Sequence, residues 1–182
     1  METKAYQLKV TLRHTKPPIW RRLEVRGDTT LGHLHDVLQV AMGWTDSHLH
    51  QFVVDGVIYG TPDPDWDVDV ENEARVRLDE VVRKPKDALV YEYDFGDGWE
   101  HTVVLEKVLP REPGRHRYPV VTAGRRACPP EDCGGVHGFY RMLEILGDPA
   151  HPEHEEMLEW TGDEYDPTHF DRDETNRVLR GG

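Results

Sequence analysis

Three histidines and two aspartates carry the most chemistry in this chain, because imidazole and carboxylate together can hold a divalent metal. His48 and His50 stand two residues apart, so on a strand both imidazoles point the same way. His101 follows a Gly96-Asp97-Gly98 turn, with the carboxylates of Asp94 and Asp97 close by in sequence. Such a set suits zinc or another divalent ion, and an open coordination position would let the ion activate water. The bland reading makes the same histidines core residues, hydrogen-bonded to backbone or tyrosine hydroxyls with no metal. Strand alternation puts His101 on one face with Tyr91, Tyr93 and Trp99, and Asp94 on the other. The two meet at one ion only if Gly96 or Gly98 introduces a bulge. Asp97, at the turn tip, reads as a turn residue that holds backbone amides.

A second group is Cys128, Cys133 and His137, spaced C-x4-C-x3-H. Thiolate and imidazole suit zinc, with His116 or His151 available as a fourth ligand. Otherwise Pro129-Pro130 and Gly134-Gly135 make a rigid corner around a small buried cysteine. Glu131 and Asp132 lie in that corner. The candidate binding set is therefore Trp44, His48, His50, Asp94, Asp97, Trp99, His101, Glu131 and Asp132. Gly134-Gly135 ahead of a helix could offer amides to an anion, a weak signal alone. Asp94-Phe95-Gly96 copies a kinase tripeptide without the companion motifs. The acids Asp63, Asp65, Asp67, Asp69, Glu71 and Glu73 alternate as in a calcium loop. The required Gly and Glu positions are wrong in either frame, so a solvated acidic loop is expected.

The elements that must position these residues follow from periodicity. Residues 5–13 and 19–25 alternate apolar and polar, with Arg21 on the apolar face of the second. Leu31, Leu34, Val37, Leu38 and Ala41 make a helical stripe, capped by Asp28-Thr29-Thr30 and stopped at Gly43. Residues 48–54 and 57–59 form a hairpin across Asp55-Gly56. A short helix is expected at 78–82. Strands 88–95 and 99–109 are joined by a three-residue loop that sets Phe95 opposite Trp99, Tyr93 opposite His101, Tyr91 opposite Val103 and Leu89 opposite Leu105. A short strand at 118–121 and helices from 135, from 152 and over 172–179 complete the chain. Trp20, Trp44, Trp99 and Trp160, with Tyr91, Tyr93 and Phe95, read as core.

Composition bounds the function. The 182 residues carry 22 Lys+Arg against 35 Asp+Glu, a net charge of −13, which opposes tight non-specific binding to DNA. With 37% hydrophobic residues, 5 Trp and 7 Tyr the chain is too apolar and aromatic to be disordered. No apolar run is long enough for a membrane span, and the first residues lack a signal-peptide core. Two cysteines point to a reducing cytoplasm. Charge is segregated: 148–174 has a net of −10, and 107–126 a net of +5 from Lys107, Arg111, Arg115, Arg117, Arg125 and Arg126 against Glu112. The simplest expectation is that the two segments complement each other across the fold; the sharper one is a basic patch for a partner.

Four stretches, in this order and spacing, resemble the plasmid pRiA4b ORF-3-like family. They are Pro17-Pro18-Ile19-Trp20-Arg21-Arg22; Gly43-Trp44 with Ser47-His48-Leu49-His50-Gln51-Phe52; Tyr91 to His101; and Cys128-Pro129-Pro130-Glu131-Asp132-Cys133-Gly134-Gly135. The resemblance runs from about Tyr6 to about Asn176. It implies an α+β fold and a passenger protein of plasmids and mobile elements, some members carrying a resolvase-like label. That label is not carried over: Tyr165 lies in the acidic segment, where a tyrosine recombinase would need a basic, DNA-clasping body.

The expectation is one α+β domain over 1–182. A largely antiparallel sheet occupies 5–126, with one packed helix and a β-grasp-like first half, and an acidic helical part follows over 127–182. The expected function is a cytosolic binding or accessory protein linked to mobile elements, without catalytic motif or required cofactor. Its partner would be a protein or small molecule, not a membrane. The alternative is a metal-dependent hydrolase or nuclease built on His48, His50, His101, Asp94 and Asp97.

Overall fold

The computed structural model describes residues 4–65, 69–110, 117–162 and 164–181. Asp67, Arg111, Glu112, Arg115 and His116, named above, lie outside the described residues.

Among the described residues eight strands form one mixed, mostly antiparallel sheet. They are β1 (Ala5–Leu12), β2 (Trp20–Arg26), β3 (His50–Val54), β4 (Val57–Gly60), β5 (Glu71–Asn72), β6 (Ala88–Tyr93), β7 (Trp99–Leu109) and β8 (Val120–Arg125), in the order β5-β4-β3-β6-β7-β1-β2-β8. Among the described residues five α-helices and one 3-10 turn (Glu73–Arg75) accompany it: α1 (Leu31–Met42), α2 (Leu78–Val81), α3 (Gly135–Gly147), α4 (His154–Thr161) and α5 (Arg172–Leu179). The fold is α+β. The β4–β5 pair is parallel and all the others are antiparallel. This order does not establish the β-grasp half.

Strand alternation explains the layering. Leu8, Val10 and Leu12 of β1, Leu23 and Val25 of β2, Phe52 of β3, Tyr91 and Tyr93 of β6 and Trp99, Val103 and Leu105 of β7 are buried with Leu31, Leu34, Leu38 and Met42 of α1. The intervening residues form polar pairs, such as Arg13 with Glu100, Arg22 with Glu106 and Gln51 with Glu92. A half-wet antiparallel sheet has this pattern. Thr30 caps α1 by accepting the His33 amide, and Gly43 closes it with φ 104°, a left-handed conformation that glycine adopts freely.

Arg21 lies in the core, as its place on the apolar face required, and among the described residues it is met by carbonyls rather than a carboxylate. Its guanidinium donates to the carbonyls of Ala41 (2.7 Å), Met42 (3.3 Å), Trp20 (2.9 Å) and Arg125 (3.1 Å), and it lies 4.1 Å from the Phe170 ring centre. Two of those carbonyls are at the C-terminal end of α1, the negative pole of its dipole. Burial lowers the Arg21 pKa to about 10. Gly124 makes this stack possible, since a Cβ there would lie 2.5 Å from the Phe170 ring.

Four expectations are corrected. The β6–β7 pairing sets Tyr93 opposite Trp99, Tyr91 opposite His101 and Leu89 opposite Val103, a shift of two residues. Asp94 causes it: at φ 59° it leaves the ladder and starts a five-residue turn, its Oδ1 accepting the amides of Gly96 and Asp97. An even shift keeps every side chain on its expected face. The aromatic core is also smaller than expected. Phe95 and Trp160 are 40% and 51% exposed, and half-buried Trp20 packs under Lys9 and Arg22. The strand expected at 118–121 runs over Val120–Arg125, and β3 begins at His50 rather than His48.

A side-chain amide ties helix α5 to β8. Asn176 of α5 accepts the Val121 amide (2.7 Å) and donates to the Val121 carbonyl (2.8 Å). Among the described residues no ion pair joins 107–126 to 148–174; Arg141–Glu153, Arg172–Asp173 and Arg177–Glu174 are the pairs of this region.

Candidate functional site

At one end of the sheet, the loop before β3, the β6–β7 turn and the loop before α3 converge on His48. Its Nε2 lies 2.9 Å from Asp132 Oδ1, 3.5 Å from Asp94 Oδ2 and 3.9 Å from Glu131 Oε2. Each of two carboxylates is fixed through one oxygen and turns the other to the histidine. Glu131 Oε1 accepts the Thr45 amide (2.8 Å), the Thr45 hydroxyl (3.0 Å) and the Tyr93 hydroxyl (3.0 Å). Asp94 Oδ1 is held by the turn amides described above. Asp132 sits at φ 58° and leaves its side chain 70% exposed at the mouth.

Tyr93 and Trp44 underlie this cleft. The Tyr93 hydroxyl also accepts the Ser47 amide (2.9 Å), and burial raises its pKa. Trp44 packs against Tyr93 and Trp99 and donates from Nε1 to His101 Nε2 (3.2 Å). His101 is fully buried, its Nδ1 at 3.0 Å from the Tyr91 carbonyl, and desolvation lowers its pKa to about 4. It lies beneath the cleft rather than in it.

The loop before α3 is pinned to the turn. Asp97 Oδ2 accepts the Gly134 amide (3.1 Å), and a Cβ on Gly135 would meet the Asp97 carbonyl oxygen at 2.5 Å. The glycine pair thus serves its own chain, and Asp94, not Asp97, holds the turn amides.

His50 belongs to a second cluster. Its ring stacks on His35 (centroids 3.5 Å apart, 6° between planes), and its Nε2 is 2.9 Å from both oxygens of Glu73. His35 bonds the Tyr91 hydroxyl at Nδ1 (2.8 Å) and Asp46 at Nε2 (3.0 Å); burial first, then His50, lowers its pKa. Gln39 ties this network together, donating to Tyr91 and accepting the Asp46 amide. Glu73, from the supposedly solvated loop, is 6% exposed.

Sequence reading missed His35, Gln39 and Asp46, and placed Glu73 in a solvated loop. His35 follows Leu31 by four residues and precedes Leu38 by three, so helical spacing alone places it on the buried face. Nothing local marks Glu73. The structure separates His48, His50 and His101 and brings Asp94, Glu131 and Asp132 to His48.

Among the described residues, two groups offer three potential ligand atoms within 4.8 Å of one another: His48 with Asp94 and Asp132, and His35 with Asp46 and His50. Cys128, Cys133 and His137 join neither. Both cysteines are free; burial raises the Cys128 pKa and pushes that of Cys133 up to about 12, and His137 is exposed on α3. His151 accepts the Glu153 amide at Nδ1.

The arrangement defines a single-sheet α+β protein with an acid–histidine cleft at the loop end of β3 and β6. The chain belongs to the plasmid pRiA4b ORF-3-like family, whose model matches residues 4–174. It is 39% identical over 181 residues to the uncharacterized protein y4hQ of Sinorhizobium fredii, covering 98% of this chain and 92% of that one. It is also similar to the crystal structure of MM3350, a protein of unknown function from Methanosarcina mazei Go1, with a TM-score of 0.86 and 38% identity over 96% of this chain and 98% of that one. No helix among the described residues is long and apolar enough to cross a membrane.

Proposed function

We propose that the protein is a cytoplasmic binding or accessory module that takes a positively charged ligand at the His48 cleft. One observation carries this reading. Three carboxylates, those of Asp94, Glu131 and Asp132, converge on one imidazole nitrogen, and among the described residues none of them pairs with a Lys or Arg. Converging carboxylates favour a cation in their midst, more strongly as the surroundings become less polar. The cytoplasmic setting rests on the use of cysteine, and the link to plasmids and mobile elements on the family's name.

An amide NMR titration with methylammonium, guanidinium and magnesium ions tests the reading. Shifts confined to Thr45–Leu49, Asp94–Asp97 and Glu131–Gly134 are expected for at least one of them. Shifts dominated by the acidic surface of α4, or none at all, contradict it.

A further inference from the structure

We infer that the ligand of the cleft is a divalent metal ion of the zinc or manganese class, held by His48 Nε2, Asp94 Oδ2, Asp132 Oδ1 and Glu131 Oε2. This rests on the reading of the cleft as the binding site and names the cation.

Spacing comes first. Zinc ligands at about 2.0–2.2 Å lie about 3.3–3.6 Å apart around a tetrahedral ion. The three oxygens stand 2.9, 3.5 and 3.9 Å from His48 Nε2, which brackets that range. The ligand atoms of His48, Asp94 and Asp132 also lie within 4.8 Å of one another, and Glu131 Oε2, at 3.9 Å from the imidazole nitrogen, is the outermost of the four.

Saturation is the second argument. His48 Nε2 and Glu131 Oε2 are buried and make no hydrogen bond. An N–H on Nε2 could serve one carboxylate and would leave the other two uncompensated. A divalent ion offsets their charge together and engages both unpaired atoms. Unsatisfied buried polar groups are rare in folded proteins, and a bound ion is one of their physical explanations.

The supporting contacts point the same way. Ligating carboxylates are themselves hydrogen-bonded, which fixes their direction. Glu131 is fixed by Thr45 and Tyr93, and Asp94 by two turn amides; the Asp94 side chain is only 8% exposed. The mixture of one imidazole with carboxylates selects the ion: imidazole suits zinc, and carboxylate extends the range to manganese. The neighbouring His35–His50 cluster lacks this openness, because the contacts of its rings to Tyr91, Asp46 and Glu73 close it on itself.

Full-length, tag-free protein is stripped with chelator and titrated calorimetrically with manganese chloride and, separately, zinc chloride. Wild type is expected to take one ion per chain. Asp132→Asn and His48→Gln should weaken binding by at least about tenfold, while Glu73→Gln, in the neighbouring cluster, should leave it within about twofold. Circular dichroism checks each fold. Should His48→Gln unfold, Asp132→Asn decides, because its side chain is exposed and Asn tolerates a positive φ. Absence of binding for both ions overturns the inference, as does binding indifferent to Asp132→Asn or abolished by Glu73→Gln. A parallel methylammonium titration separates the two levels. Shifts at Thr45–Leu49 without metal binding leave the cleft standing and remove the metal; silence in both experiments removes both.

Discussion

Tyr93 and His101 show how much a single side chain does beneath the cleft. The Tyr93 hydroxyl joins Ser47 to Glu131, so the loop before β3 and the loop before α3 are set by one oxygen. His101 has a different role, since it is fully buried and neutral. Its folded pKa of about 4 lies below the ordinary 6.5, because burial disfavours the imidazolium. The unfolded chain therefore binds the proton more readily. Stability on this account is whole above pH ~6.5 and falls as pH drops towards ~4, by about 3 kcal/mol across the interval. His101→Gln, which keeps an amide donor and acceptor but cannot titrate, should flatten that part of the pH profile in urea melts. An identical slope in both proteins would mean that His101 is not buried neutral. At this scale the sequence nominated His48, Asp94, Glu131 and Asp132. It could not separate them from His50 and His101, because strand parity sorts faces but does not show where a strand ends. His48 lies before β3 and Asp94 after β6, beyond the reach of the alternation rule.

Helix α1 was legible from both of its ends, because the Thr30 cap, the apolar stripe and Gly43 all agree. The β6–β7 hairpin was legible in its faces but not in its register. A turn opened by an aspartate at positive φ looks, in sequence, like a shorter turn centred on glycine. The docking of α5 was not legible, since it depends on Asn176 meeting an edge strand 55 residues away. That contact has a measurable consequence. Asn176→Ala would leave the Val121 amide and carbonyl without these partners, and should cost about 1–3 kcal/mol in urea melts. Arg177→Ala, beside it on the exposed face, should stay within about 0.5 kcal/mol. Equal effects would mean that α5 is held by something other than this asparagine.

For the whole molecule the decisive quantity is charge. A net of −13, with −10 gathered over 148–174, leaves little attraction for a polyanion. Fluorescence anisotropy with a bare DNA duplex at physiological salt should give a dissociation constant above about 10 μM, in the weak part of the non-specific range. Sub-micromolar, salt-sensitive binding would contradict the account and revive a nucleic-acid role. The same excess of carboxylates favours cations at the surface generally, so metal binding in solution must be tied to a place. The measurement that does this most directly is anomalous diffraction from crystals soaked in manganese or zinc. The account predicts a strong peak bounded by His48 Nε2, Asp94, Glu131 and Asp132, with the ion about 2.0–2.2 Å from the imidazole nitrogen. A peak at His35 and His50, at Cys128 and Cys133, or at no ordered place would contradict it.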